Sequence, residues 1–538
     1  MLKSIRYAAF CLLALLLALS LIAPLAGAPA ASARQDGVTL RLPGGGYWGH
    51  PSPFGYSRGP GYMRASLLFD SLVWRDASGE TIPWLASEWV ASEDGLTWTF
   101  TLRDGVTWHD GQPLTVDDVV YSIQTYLDHP ELVWFMAQTD VIDSVAAAGD
   151  DQVAIALKQP YAPFLQATAE TLFIFPRHVW ENIADKKAYA EPDAFTGSGA
   201  YRLVEYSQAE GTYLFEANPD FFLGAPYVER IEFVPTSDNI LALINGDVGA
   251  FDQFGGVTED MLAPFRADPF EVKTAPGEWG MFLYFNLEQD SPLQDVRVRR
   301  AIAHAVDRDA LLERVLFGFG EAGSPGFLPP ANPFHNPDVP DYAHDIDRAK
   351  ALLDEAGYDG APIRLAYSTD WIMASPRVVE IVESGLSDAG IPIEHVVMDQ
   401  ATIDTAAVEG DYEMMLVGYG GLGGDPDLLR RTFATNSQMS GFARARGYSN
   451  PDFDALAAAQ IALSDPAERR AALDEMQAIL AADLPVLPLY TTARVVVFNA
   501  QVFDNWYYTP GGWGGGIPMP YNKHQFITGV ETGLDIRD

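Results

Sequence analysis

Ile363-Arg364-Leu365-Ala366-Tyr367 is a short apolar run, Ser375 to Asp388 carries apolar residues at helical spacing, and Ile393-Glu394-His395-Val396-Val397 is strand-like again. A strand, a helix and a strand in that order predict a layered α/β unit. Working upstream, Asp347 to Ala356 reads as a helix closed by Gly357 just past its end. Asp295 caps a helix over Val296–Asp307, with Val298, Ile302 and Val306 on one face and Arg297, Arg299 and Arg300 elsewhere. Downstream, Met414 to Val417 is a strand, Pro466 opens a helix over Ala467–Ala481, and Val486–Leu489 and Val495–Phe498 are late strands. The amino-terminal half alternates in the same way. Val38–Leu42 is a first strand, followed by a Gly/Pro-rich loop from Pro43 to Gly61. Thr97–Leu102 alternates, Arg103-Asp104-Gly105 turns, and Thr115 caps a helix through Tyr126. Short strands resume at Tyr201. The whole pattern is α/β, in two lobes, the second starting near Glu278.

The 538 residues, 48% hydrophobic, 12% aromatic and 20% charged, have room for two to four domains with buried cores. Lysine and arginine number 34 against 73 aspartates and glutamates, a net charge of −39. A surface that negative repels phosphate backbones and anionic lipid, which excludes nucleic acid and membrane surfaces as partners.

Lys3 and Arg6 precede an apolar run from Ala8 to Ala23, and small residues follow, ending in Ala31-Ser32-Ala33. A charged start, an apolar stretch and an A-x-A site describe a secretory signal peptide over residues 1–33. At ~1.5 Å per residue the run spans about 24 Å, short of a ~30 Å hydrocarbon core. The expected product is exported to the periplasm or the medium. Cys11, the only cysteine, leaves with the leader. The mature chain then has no disulfide, no thiol nucleophile and no lipoprotein cysteine.

Catalytic motifs are missing. There is no HExxH, no G-x-S-x-G and no Walker loop, and Gly385-Leu386-Ser387-Asp388-Ala389 puts its serine at a helix end instead of a strand-to-helix turn. His109-Asp110 and His304 with Asp307 read as turn and helix-surface pairs with no nucleophile beside them. No two histidines share ligand spacing on one element, and Asp117-Asp118 is explained by the helix dipole. Gly418-Tyr419-Gly420-Gly421-Leu422-Gly423 matches G-x-G-x-x-G after a strand, but no acidic residue stands at a strand end about 20 positions on. We expect no enzyme, no metal and no cofactor. A glycine-rich loop at the carboxyl end of a strand still lets backbone approach a ligand.

Several blocks carry a resemblance. They are Leu72-Val73-Trp74, Pro83-Trp84-Leu85-Ala86, Gly95 to Phe100, Leu102 to Val106, Trp108 to Thr115, Gly197 to Leu203, and Asn218-Pro219-Asp220-Phe221-Phe222. Asp295 to Ile302 ending in Asp307-Arg308, Ala349 to Tyr358, Tyr448 to Pro451 and Leu484 to Tyr490 continue the order. Together they resemble the extracellular solute-binding proteins of family 5, the peptide/nickel-type binding components of ABC transporters. The resemblance implies a two-lobed periplasmic-binding-protein fold with an extra subdomain in lobe one, closing over a ligand like a trap and docking as a monomer on permease subunits. By that analogy lobe one is 36–60, 190–276 and the return 496–538, the extra subdomain is 61–189, and lobe two is 277–495.

Dipeptide-binding members of that family hold the peptide's amine with an aspartate and its carboxylate with an arginine, through charge-assisted hydrogen bonds. The family's Trp-Thr-Gly-Asp loop corresponds here to Tyr419-Gly420-Gly421-Leu422, so leucine replaces the acid. Asp425, three positions on, offers a substitute and is equally explained as a helix cap. The arginine position falls near Thr369, and the nearest arginine, Arg377, reads as helical. Aromatic residues in loops remain: Tyr47 and Trp48 after the first strand, Trp134, Trp371, and Tyr419 beside Gly420. Core or rim packing would account for any one of them. The expected ligand is a peptide-type solute, with an oligosaccharide as the alternative and an exported hydrolase as a distant third. His50 is the one histidine to check for nickel.

Overall fold

A computed structural model describes residues 38–44, 46–133, 137–368, 376–437, 444–463, 465–509 and 522–527. Three sheets organise the chain. In the first, β1 (Thr39–Pro43) pairs in parallel with β10 (Arg230–Val234), followed by β9 (Thr212–Ala217) and β8 (Tyr201–Ser207). A second, wholly antiparallel sheet has the order β4 (Ala86–Ala91), β5 (Thr97–Leu102), β7 (Gln152–Leu157), β6 (Ile142–Ala147). A short ribbon, β2 (Val73–Arg75) with β3 (Thr81–Pro83), lies beside them.

The third sheet has seven strands, in the order β11 (Ala250–Phe254), β17 (Val486–Asn499), β12 (Phe270–Phe285), β16 (Met414–Tyr419), β14 (Ile363–Ser368), β15 (Ile393–Met398). β13 (Gly320–Ala322) pairs with β17 as well. β14 is parallel to both β15 and β16, as the strand–helix–strand reading of this region predicts. Alternate residues of β12 enter different cores. Met281, Leu283 and Phe285 pack with Val298, Ile302, Val378 and Leu386, while Phe282 and Tyr284 pack with Phe327, Leu429, Phe453 and Leu473. Helices therefore cover both faces, which is why the central strands are almost continuously apolar.

β12 and β17 differ from the sequence expectation. Val486–Leu489 and Val495–Phe498 are one 14-residue strand, and the boundary near Glu278 falls inside β12. Thr491, Thr492 and Arg494 interrupt the apolar run, so the join was invisible to pattern reading. Pro488 sits at a register shift, where a strand tolerates proline. A second shift separates Ala275, opposite Arg494, from Trp279, opposite Thr492. Gly277 occupies that bulge against the partner strand, where a Cβ would fall 1.2 Å from the Thr492 carbonyl oxygen.

Caps behave as the sequence predicts. Thr115 and Asp118 form a reciprocal capping box on the helix Val116–Asp128, and Asp118 also accepts from the Arg177 N–H at 2.9 Å. Asp295 caps Val296–Ala305, and Gly357 closes Ile346–Ala356 in the left-handed region. The helix expected to reach Asp307 stops at Ala305, because Asp307 caps the next one, Arg308–Arg314. Gly385 belongs to the helix Pro376–Ala389 and lets it approach Ala305, whose carbonyl oxygen lies 2.0 Å from where a Cβ would be. Among the described residues no helix is long and apolar enough to cross a membrane.

The carboxyl-terminal residues 522–527 return to the core of the first two sheets. Lys523 is wholly buried and donates to the Asp70 carboxylate and to the carbonyl oxygens of Ser66 (3.0 Å) and Phe69 (3.2 Å). Its ammonium stands 4.1 Å from the ring of Trp74 and 5.2 Å from that of Trp84. Asp70 also accepts from Trp84 Nε1 and Ser198 Oγ, both at 2.7 Å, while Asn522 accepts from Trp74 Nε1 at 2.8 Å. Of the three tryptophans that the family framework places in the core, Trp84 and Trp108 are fully buried, while Trp98 is half-buried and packs at the edge of that core against Phe164, ring centroids 5.4 Å apart.

Candidate ligand cleft

The carboxyl end of β16 lies where β12 and β17 shift register. Tyr419 is opposite Gly280, and Gly420 follows at the strand end. A Cβ on Gly420 would stand 2.4 Å from Cε2 of Trp279, so the indole lies directly over this peptide. Trp279 is half-buried and shares a face with Met281 and Leu283. Sequence reading missed it. The available signal was its setting between Gly277 and Gly280, since glycines inside a strand mark close backbone approach.

From Gly421 the loop turns inward, with φ of +82° at that glycine. Leu422 is buried in the core with Phe282, Phe327 and Leu428. Asn332 Nδ2 donates to the carbonyl oxygens of Leu422 (2.7 Å) and Gly424 (3.1 Å), holding the loop from beneath. The residue standing where the dipeptide-binding pattern has an acid is thus a core residue.

Asp425 holds the first turn before the following helix as a cap would, and it also does more. That helix runs Leu428–Phe433; Asp427, at its N-cap position, makes no side-chain cap bond, and the Asp425 carboxylate accepts from the Asp427 N–H at 2.8 Å. Both carboxylate oxygens of Asp425 meet Arg469, at 2.6 and 3.0 Å, and both side chains are about a tenth exposed (12% and 10%). Burial opposes the Arg469 charge, yet the Asp425 carboxylate holds its pKa above the ordinary value. An aspartate matched in this bidentate way is already neutralised. Arg377 is exposed in the first turn of the helix Pro376–Ala389, consistent with its helical reading.

Asp427 is buried among donors. Arg430 Nε and Nη2 donate to it at 2.7 Å each, Gln460 Nε2 at 2.8 Å, and the Tyr161 hydroxyl at 3.1 Å. Burial and then the Asp427 charge push the Tyr161 phenol well above its usual range. A narrow cleft opens here, lined by Arg75, Tyr161 and Gln166 on one side and by Asp425, Asp427 and Arg431 on the other. Arg75 forms a buried ion pair with Glu170, Nε to Oε1 3.2 Å.

The residues expected to bind ligand fall into two groups. Tyr419, Gly420 and Asp425 share the β16 loop. Tyr47 and Trp48 lie at the β8–β9 sheet, where Tyr47, Tyr206 and Tyr213 have near-parallel rings 6.4 Å apart in each pair. The Trp48 N–H donates to the Tyr213 hydroxyl at 3.0 Å. Burial, then Tyr206 and Tyr213, raise the Tyr47 pKa. Trp134 and Trp371 lie outside the described residues, as do the side chain of Tyr419 and the leader at 1–33. His50 packs edge-on to Phe195 at 6.2 Å, and burial lowers its pKa. Asp110 pairs with His178 at 2.8 Å, while the His109 ring bonds the Gly199 carbonyl at 3.0 Å. No group of three or more His, Cys, Asp or Glu among the described residues is placed to hold a metal ion.

A mixed α/β scaffold with a loop cleft at the strand ends is the architecture of the two-lobed periplasmic binding proteins, and solved members of that class superpose on it. The ABC transporter substrate-binding protein CtaP of Listeria monocytogenes aligns over 87% of this chain and 95% of its own, at 25% identity and a TM-score of 0.75. The profile of the bacterial extracellular solute-binding proteins, family 5 (middle region), matches residues 80–441. The chain belongs to that family. Its members are periplasmic or extracellular. Among similar proteins are a probable di/tripeptide-binding protein of Pseudomonas aeruginosa, 29% identical over 79% of this chain and 84% of that one. The dipeptide-binding protein of Escherichia coli is 26% identical over 88% and 90% respectively.

Proposed function

We propose that this protein is the exported solute-receiving component of an ABC importer, that it holds a peptide-type solute between two lobes, and that it hands the solute to a membrane permease. The observation that carries the reading is the junction at Ala275–Trp279 against Thr492–Arg494. There the two long strands shift register, and the β16 loop ends beside them. Lobe one is then 36–60, 190–276 and 496–538, with 61–189 as its extra subdomain, and lobe two is 277–495. The junction serves as the hinge, and the ligand sits beside Trp279 and Gly420. Lys3, Arg6, the run Ala8–Ala23 and Ala31-Ser32-Ala33 supply the export signal.

The peptide reading is supported by the peptide-binding names of the relatives. Leu422 in the core and Asp425 paired with Arg469 argue against a grip on a free dipeptide's amine. A longer peptide, held through its backbone and side chains, fits better. An oligosaccharide is the second reading, favoured by the half-buried indole over Gly420 and by the parallel tyrosines around Tyr47, since flat rings stack on sugars.

The test is a thermal-shift panel on residues 34–538 with peptides of two to eight residues, cello- and xylo-oligosaccharides, and nickel. A solute at 100 times its Kd stabilises by about 2.7 kcal/mol. A shift with peptides alone supports the first reading, a shift with sugars alone replaces it with the second, and product formation from either would return the chain to the hydrolases.

A further inference from the structure

The extra subdomain and lobe two also touch through groups that belong to the protein alone. The Tyr161 hydroxyl donates to Asp427, and each of these residues is only 2% exposed. Next to it the Ala162 N–H donates to the Ile461 carbonyl oxygen at 2.6 Å. The Ile461 side chain is buried in the large apolar core of the first two sheets, and among the described residues every other buried member of that core comes from 40–250 or 496–527. One aliphatic side chain from lobe two is therefore seated in the core of the other lobe.

Lobe two holds its half of this contact ready-made. Arg430 and Gln460 fix the Asp427 carboxylate, Arg469 Nε donates to Gln460 Oε1 at 3.1 Å, and Arg469 in turn grips Asp425. Gln460 is wholly buried and is the residue before Ile461, so the network and the apolar stud are one rigid piece.

We propose that Tyr161, Ala162, Asp427 and Ile461 form a clasp that favours the closed arrangement of the lobes independently of any solute, and so slows solute release. The inference rests on the lobe assignment above. Its chemistry suits repeated opening. When the contact parts, its two aspartates keep their partners: Asp427 keeps Arg430 and Gln460, and Asp425 keeps Arg469. The groups of the clasp that pass to water are a neutral hydroxyl, one backbone pair and one aliphatic side chain, none of which carries the penalty of an uncompensated charge. A clasp built across the boundary from an ion pair would cost far more to separate.

The mature chain has no cysteine after Cys11, so spin labels can be placed at will. Val90 in the subdomain and Val408 in lobe two are exposed side chains suited to Val90→Cys and Val408→Cys labelling. Pulsed dipolar distances are then measured on refolded, solute-depleted protein carrying Tyr161→Phe, Ile461→Val or both. The expected result is a predominant short distance in the parent and a several-fold larger long-distance population in each variant, largest in the double variant. Near-UV circular dichroism confirms that each variant is folded, as expected when one substitution removes only a hydroxyl and the other only a methyl group. Coincident distributions in parent and variants overturn the clasp, as does a parent that is open without solute. If a solute from the thermal-shift panel changes the distance while the variants do not, the clasp alone falls. If no solute and no variant changes it, the two-lobe reading falls with it.

Discussion

Asp70 and Asp427 are both buried aspartates surrounded by donors, and they have different consequences. Asp70 is met by Lys523, Trp84 and Ser198, all packed in one core, so its hydrogen bonds weld that core together. Asp427 is met by Arg430 and Gln460 from its own side and by Tyr161 from the other. The lesson is that a buried carboxylate does not by itself mark a structural or a mobile site. What matters is whether its counter-charge stays with it when the surroundings move.

The comparison breaks most visibly at Lys523. Lys523→Met leaves Asp70 buried without its cation, and the expected loss is about 3–5 kcal/mol in urea unfolding. A loss below about 1 kcal/mol would mean that Trp84 and Ser198 alone satisfy the carboxylate. His524, beside it, sharpens the same region through pH. Burial lowers its pKa to about 4, with Asp76 opposing and Lys523 reinforcing the shift. The unfolded chain therefore takes up this proton near pH 6.5 and the folded chain only near pH 4. Stability from this group is complete above about pH 6.5 and falls by roughly 3 kcal/mol as the pH drops to 4. The difference between parent and His524→Asn melts across that window measures it, and identical pH slopes would refute it.

On the cleft side the effects are smaller. Gly420→Ala drives a methyl group into the Trp279 indole, and overpacking of that kind costs about 1–3 kcal/mol. Combining it with Trp279→Leu should recover most of the loss in a double-mutant cycle, and additivity would show that the two do not press on each other. Tyr161→Phe is the mildest change. Because Asp427 keeps three donor bonds, global stability should fall by only about 1 kcal/mol, in contrast to Lys523→Met. A loss as large as that of Lys523→Met would make Asp427 a weld like Asp70.

Much of this was legible from residues that act on their near neighbours. Thr115 with Asp118, Asp295 and Gly357 end or begin helices through bonds spanning two to four residues, so local spacing is enough to find them. The strand–helix–strand unit at Ile363–Val397 was readable for the same reason. What escaped was set by partners far along the chain. The capping bond of Asp425 is local and legible, but Arg469, 44 residues on, which also holds it, is not. Leu422 reads as a lost ligand group until Asn332 is found beneath its loop. Trp279 is unremarkable in sequence and matters because Gly420 comes to lie under it. The join of Val486–Leu489 to Val495–Phe498 was hidden because Thr491, Thr492 and Arg494 pair in the ladder while breaking the apolar pattern.

The contact between Asp70 and Lys523 spans 453 positions. A chain made from its amino terminus reaches Asp70 early and Lys523 almost last. Until then the cavity that Lys523 fills between Trp74 and Trp84 has no cation to close it, and contacts of such long range form late in folding. The core around Trp74 and Trp84, begun early in synthesis, is thus the last to be sealed, and its completion reports that the rest of the chain has arrived.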